Sequence, residues 1–391
     1  MKEGASKIAA DCNALATRQA ATSVNTPDLI IATDMLDLPV WIKEMNRLGT
    51  DIENIPMCIY MHENQLTYPM PTYRSGLKPS VGEKNNARIA TNIVSQIRAD
   101  RIFFNSRYHL DSWFSALTTL TPHDNALVSK IFAPDSVTYQ YHYPVAPDQP
   151  LLENMCQLAA ALRKKSSVLP VGIDLEHVSQ ARSKRRRLNE DSRAVRENKK
   201  RPLRILWNQR WEHDKNPATF FNILSAISRD GIPYELIVCG EQGNYVPKLF
   251  TVMQSQLAKH IIHWGYASSR DAYLQLLSIA DVVISTSNHE FFGISLIEAT
   301  AAGAYPLVPT RLSYTELFPK HFRYTTDDDL STRLRQLLNT GISPPEYAQL
   351  HELATHLHYT YDWNTLAAIY DAAFSKLCFA TRCSTTIRKM T

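Results

Sequence analysis

The feature that most limits the fold is a short apolar run, closed by polar residues and followed by a helical stretch, which recurs along most of the chain. PDLIIATDMLDLP (27–39), PMCIYMHENQ (56–65) and ADRIFFNSRYHLDSWF (99–114) are three such units, and SSVLPVGIDLEHV (166–178) adds a fourth apolar run ended by a turn. Apolar runs of about four to eight residues without polar alternation mark strands buried on both faces, and strands alternating with helices build a parallel sheet. LRILWN (203–208), YELIVC (234–239), HIIHW (260–264), DVVIS (281–285) and AYPLV (304–308) continue the pattern, separated by helical stretches at 217–229, 269–279 and 292–302. The expected fold class is therefore α/β, with two Rossmann-like, doubly wound domains.

Length fits that reading, since 391 residues exceed one ordinary core at roughly 100 to 200 residues per domain. The expected division is 1–178, a basic linker at 179–202, a second sheet domain at 203–343, and C-terminal helices at 344–391 that pack back towards the first domain. Trp363 stands near a break in those helices. The linker holds ten basic residues (Arg182, Lys184, Arg185, Arg186, Arg187, Arg193, Arg196, Lys199, Lys200 and Arg201) against three acidic ones. A solvated, disordered segment, a nucleic-acid contact and a nuclear import signal at 184–187 are its three readings. The net charge of +4 is too close to balance to imply nucleic-acid binding by itself. The six cysteines form neither C-x-x-C pairs nor a dense disulfide pattern, no apolar run is long enough for a membrane span, and the expected location is cytoplasmic.

In open parallel sheets, ligands sit beyond the carboxyl ends of the strands. Asp34, His62, Glu63, Asn64, Asn105 and Ser106 fall there in the first domain. In the second, NQRWEHDKNP (208–217) leaves a strand and enters a helix with Arg210 and Lys215 at its mouth. A guanidinium fork and an ammonium beside a helix N-terminus suit a diphosphate, although ordinary surface charges would produce the same wording, and His213 and Asp214 could equally be caps. HEFFGISLIEATAAG (289–303) follows another strand and places Glu290 in a loop and Glu298 about two turns into a helix. Ionised carboxylates accept hydrogen bonds from hydroxyl pairs, and Gly293 lets backbone approach a ligand; a cap and a solvated acid are the plainer alternative.

Taken together these stretches resemble retaining GT-B glycosyltransferases that use nucleotide sugars. The resemblance rests on Glu290-x7-Glu298 with Phe-Gly after the first acid, Arg210-x4-Lys215 after a strand, and HWGYASSRDAYLQLLSIADVVIS (263–285) in the right order. YMHENQLTYP, FFNSRYHLDSW, WNQRWEHDKNP, HWGY, ADVVISTSNHEFFGISLIEA and ELFP narrow it to the tRNA-queuosine alpha-mannosyltransferase family, from about residue 27 to beyond 320. The resemblance implies two domains facing a cleft and transfer of mannose from GDP-mannose to queuosine at a tRNA wobble position, with retention and without a metal or other cofactor. By the same resemblance Arg210 and Lys215 hold the donor diphosphate, and Glu298 accepts from the ribose. Glu290 accepts from the mannose beside main-chain N–H groups near Phe292, Gly293 and Ile294. The backbone at Gly265 and Tyr266 lines the base pocket, His62 faces the transferred sugar, and Glu63, Asn64, Asn105 and Ser106 are acceptor-side candidates.

The family opens with a strand and a loop of the type G-G-S-H, whereas this chain opens with MKEGASKIAADCNALATRQAA, which reads as a helix. The first domain is therefore expected to lack its first βαβ portion. The other readings are a different acceptor on the same chemistry and a non-catalytic relative that binds nucleotide sugar or RNA. A nicotinamide dehydrogenase is disfavoured because no G-x-G-x-x-G follows a first strand. If tRNA is the acceptor, phosphate contacts from Arg185–Arg187 and Lys199–Arg201 make binding fall steeply with salt, and neutralising that run is expected to lower tRNA affinity with donor affinity unchanged. Binding titrations at two salt concentrations check this; equal tRNA affinity would remove the segment from the interaction.

Overall fold

The computed structural model describes residues 27–50, 52, 54–68, 80–120, 151–180, 183, 201–243 and 246–390, with backbone only at 80–85, 151–154 and 380–390. The expected N-terminal helix, and the basic run at 182 and 184–200, lie outside the described residues. The chain divides into two compact units, one formed by residues up to Pro170 together with Ala368–Thr391, the other by Val171–Ala367.

In the first unit β1 (Ile30–Thr33), β2 (Met57–Met61), β3 (Arg101–Phe104) and β4 (Ser166–Val168) form a parallel sheet in that order. Every residue of β2 is buried, as its unbroken apolar run requires. Helices α1 (Leu38–Arg47), α2 (Ser80–Arg98), α3 (Arg107–Thr118) and α4 (Leu151–Lys164) cover the sheet. Asp37 caps α1 by accepting from Val40 N at 3.2 Å. Ile42, Met45, Ile59, Ile93, Trp113 and Leu158 lie in one core, each such side chain contributing about 1.5–3 kcal/mol of burial. The Trp113 indole donates to Gln96 Oε1 at 3.1 Å, so its one polar atom is satisfied inside that core.

The second unit is a six-stranded parallel sheet ordered β10-β9-β8-β5-β6-β7. Its strands are β5 (Arg204–Trp207), β6 (Glu235–Cys239), β7 (Ile261–Gly265), β8 (Val282–Ile284), β9 (Tyr305–Pro309) and the two-residue β10 (Arg323–Tyr324). The strand order reverses between β5 and β8, the double winding expected of the chain; the four described strands of the first unit wind one way only. Helices α5 (Pro217–Arg229), α6 (Lys248–Gln256), α7 (Arg270–Ile279), α8 (Ile294–Ala301) and α9 (Asp327–Thr340) belong to this unit, followed by α10 (Pro344–Tyr361) and α11 (Trp363–Met390). α11 begins in the second unit and ends in the first. The break before Trp363 is held by Asp362, whose carboxylate accepts from Leu175 N at 3.1 Å and Asn364 N at 2.9 Å.

Arg201 closes the basic run. Its guanidinium donates to both oxygens of buried Asp281, at 2.6 and 3.1 Å, while Arg204 N donates to the same carboxylate. That arginine is thus committed to the start of β8. No helix among the described residues is long and apolar enough to cross a membrane.

Candidate active site

The crevice outside a reversal of strand order is the usual ligand position in a doubly wound sheet. Here it is bounded by residues 208–216 after β5 and 285–293 after β8, and hydrogen bonds join the two loops. Thr286 Oγ1 donates to Lys215 O and Asn216 O, both at 2.9 Å, Asn288 N donates to Asp214 O at 2.8 Å, and Ser287 Oγ donates to Gln209 Oε1 at 2.6 Å. Asn216 adopts φ 48°, a left-handed turn that asparagine tolerates, and Pro217 then opens α5. Trp211 stacks on Phe250 with centroids 4.1 Å apart and planes 6° apart, which anchors the middle of the first loop.

Lys215 is the centre of this arrangement. Its Nζ donates to His289 O at 2.9 Å and to Glu290 Oε2 at 3.2 Å, and lies 3.3 Å from Asp214 Oδ2. Burial opposes the charge, but Glu290 and then Asp214 more than offset it and hold the ammonium above the ordinary lysine pKa. His289 goes the other way: burial, then Lys215, bring its pKa down to about 4, so it is neutral at physiological pH. Arg210 keeps 45% of its side chain exposed and sits 3.5 Å from Glu212, whose own pKa is raised by burial against the pull of Arg210. One loop therefore carries a buried, fixed cation and a half-exposed, adaptable one.

Glu290 and Glu298 belong to separate hydrogen-bond sets. Glu290 Oε1 accepts from Phe292 N at 3.3 Å, and Ser313 Oγ, donating to Phe292 O at 3.0 Å, fixes the loop from behind. Gly293 has φ 101°, and a Cβ there would lie 3.2 Å from the Tyr314 ring, so the turn into α8 depends on glycine. Ile294 opens α8 and is exposed. Glu298, buried on α8, accepts from Arg270 Nη2 at 2.5 Å and Tyr273 Oη at 3.1 Å; Tyr273 in turn accepts from Asn208 Nδ2 at 2.9 Å. Burial and then Glu298 raise the Tyr273 pKa well above its usual value, so it remains a donor. A ribose hydroxyl reaching Glu298 would meet a carboxylate already paired, with only its remaining lone pairs open. Gly265 ends β7 at φ +121°, and Tyr266 beside it is 70% exposed.

In the first unit His62 ends the loop entry from β2 with its side chain half-exposed, its Nδ1 3.2 Å from Asp34 Oδ1. Glu63 accepts from Gln65 Nε2 at 2.7 Å. Asn64 is fully buried, its Oδ1 accepting from Leu66 N at 3.0 Å, which is a turn-forming role. Asn105 Oδ1 lies 2.9 Å from His109 Nδ1, and Ser106 caps α3 by accepting from His109 N at 3.0 Å. Asn64, Asn105 and Ser106 are thus occupied in holding the strand ends. Among the described residues no group of three or more His, Cys, Asp or Glu could hold a metal ion.

Residues 5–130 match the family model described as tRNA-queuosine alpha-mannosyltransferase N-terminal, and residues 189–354 match that of glycosyl transferases group 1. The tRNA-queuosine alpha-mannosyltransferase of Drosophila melanogaster is 26% identical over 306 residues, covering 78% of this chain and 70% of the relative. The chain belongs to the tRNA-queuosine alpha-mannosyltransferase family. It is a glycosyltransferase of the group 1 type. A GDP-mannose-dependent alpha-(1-6)-phosphatidylinositol dimannoside mannosyltransferase of Mycobacterium tuberculosis is 24% identical over 220 residues, 56% of this chain and 54% of that one. Sucrose-phosphate synthase from Thermosynechococcus elongatus shares the GT-B fold at a TM-score of 0.56 and 14% identity, over 90% of this chain and 74% of that chain.

The motif spacing carries no signal for Arg270 and Tyr273, which converge on Glu298, or for Asn208, which donates to Tyr273. Arg270 follows Ser269, whose hydroxyl accepts from Ala272 N at 3.1 Å, so in the sequence it reads as one more charge behind a helix cap. Asp214, open between cap and ligand on sequence alone, is 1% exposed and faces Lys215.

Proposed function

We propose that this protein transfers mannose from GDP-mannose to queuosine at the wobble position of tRNA, with retention at the anomeric carbon. The observation that carries the donor half is the pairing of Lys215 and Arg210 at the reversal of strand order, where a nucleoside diphosphate belongs. Their positive charge meets the charge that grows on departing GDP, the place where electrostatic stabilisation accelerates a reaction most. Glu290, on the Lys215 side, accepts from sugar hydroxyls with the main chain at Phe292 to Ile294; Glu298 accepts from ribose hydroxyls, and Gly265 with Tyr266 borders the base. His62 is assigned to the transferred sugar. The choice of mannose and of queuosine rests on the family and the fly relative, and GDP-mannose as the donor on the mycobacterial one.

The test is to incubate the protein with labelled GDP-mannose and queuosine-containing tRNA, digest the RNA and look for mannose on the nucleoside. Mannosylated queuosine is expected, and tRNA lacking queuosine should take up no label. Intact GDP-mannose binding without transfer would favour a non-catalytic relative.

A further inference from the structure

The end of β1 carries a buried carboxylate that donor binding does not use. Thr33 pairs with Tyr60 across β1 and β2, so Asp34 comes to lie beside the residues that leave β2. Its side chain is only 2% exposed. Oδ2 accepts from the main-chain N–H groups of His62 at 3.0 Å and Glu63 at 2.9 Å, while Oδ1 lies 3.2 Å from His62 Nδ1. Asn92 Nδ2, donating to the main-chain O of Asp34 at 2.6 Å, holds the backbone of the same residue from α2. Three separate contacts therefore set the position of this one group.

The two main-chain contacts could be a local turn and nothing more. The third is different, because it is aimed at a ring nitrogen of a half-exposed side chain. A buried carboxylate on Nδ1 selects the tautomer that carries its proton there and turns Nε2 outward, and it favours the imidazolium. The Tyr60 ring, 5.0 Å away by centroid, limits the other side of the imidazole. Among the described residues the charged groups facing His62 are Asp34 and Glu63; the Asp34 hydrogen bond and both carboxylates raise its pKa against partial burial.

We propose that Asp34 is a positioning residue for sugar transfer, holding His62 with Nδ1 protonated and Nε2 outward to hydrogen-bond a hydroxyl of the transferred sugar. The role in transfer rests on the assignment of His62 to the sugar made above; the hold on His62 does not.

Two measurements on the intact chain separate these. Ring-nitrogen NMR of His62 through a pH titration, without substrate, should show the Nδ1-protonated tautomer and a midpoint above 6.5, and Asp34→Asn should lower that midpoint. Transfer should fall roughly tenfold or more in Asp34→Asn, and show no further loss when Asp34→Asn is added to His62→Ala. A wild-type midpoint at or below 6.5, an unmoved midpoint in Asp34→Asn, or the same loss in both backgrounds overturns the proposal. Should Asp34→Asn fail to fold, the wild-type titration still decides. No transfer by the wild type would instead overturn the proposed function, leaving the titrations to decide whether Asp34 holds His62.

Discussion

Replacing Lys215 with alanine is expected to abolish transfer and destabilise the second unit together, whereas Arg210→Ala should cost about 10²–10³-fold in transfer and at most about 1 kcal/mol in stability. The difference follows from burial. Lys215 is 6% exposed and neutralises Asp214, itself 1% exposed, together with Glu290. Removing one partner of a buried ion pair leaves the other charge uncompensated and typically costs about 3–5 kcal/mol. Arg210, with 45% of its side chain exposed, pairs with Glu212 at 3.5 Å, and exposed pairs are worth only about 0–1 kcal/mol, so its loss should weigh far more on the proposed anion contact than on the fold. The pH sign agrees: the Lys215 pKa is raised on folding, so its stabilisation is complete at neutral pH and is lost only as pH rises through that raised value. Urea unfolding midpoints and single-turnover transfer check the pair. A Lys215→Ala protein with a native midpoint, or an Arg210→Ala protein with a native rate, would contradict the division of roles.

Much of the second unit was legible because its strands are uninterrupted apolar runs and helices such as α5, α7 and α9 follow an asparagine, serine or threonine. The expected helix at 217–229 coincides with α5, and the strands ending at Trp207, Gly265 and Ile284 lead into the loops that were expected to bind. β10 was not legible, since two residues carry no period. At the site, motif spacing located Arg210, Lys215, Glu290 and Glu298 but could not state what each already touches. Glu298 looked like an open acceptor, and the fold supplies it with Arg270 and Tyr273 from α7. Ser106 and Asn64 show the reverse difficulty. A polar residue at a strand end is a candidate ligand by position, yet the same chemistry satisfies main-chain N–H groups at a helix start or turn, and both are used that way.

Gly240→Ala is expected to disable the donor loop from outside it. Gly240 follows β6 at φ +137°, and an added Cβ would sit 2.0 Å from Gln209 O and 2.7 Å from Gln209 C. Those are main-chain atoms of the residue before Arg210, so no side chain can turn aside. Nor can the two segments simply part, because β5 and β6 are paired in register up to Trp207 and Val238, and Trp211 N donates to Glu241 O at 2.9 Å just beyond. The positive φ alone costs about 1–3 kcal/mol for a residue with a Cβ. Overpacking adds about 1–3 kcal/mol where the neighbours cannot move. Gly231 separates the two contributions: it also has positive φ, at +72°, but a Cβ there meets nothing within 4 Å. Gly231→Ala should therefore lose only the backbone share of stability and keep full transfer, while Gly240→Ala loses more stability and shifts Gln209 and Arg210 away from the diphosphate position. Equal unfolding midpoints for the two variants, with transfer retained in both, would mean that the β5 loop yields to the added methyl and that Gly240 does not set where Arg210 stands.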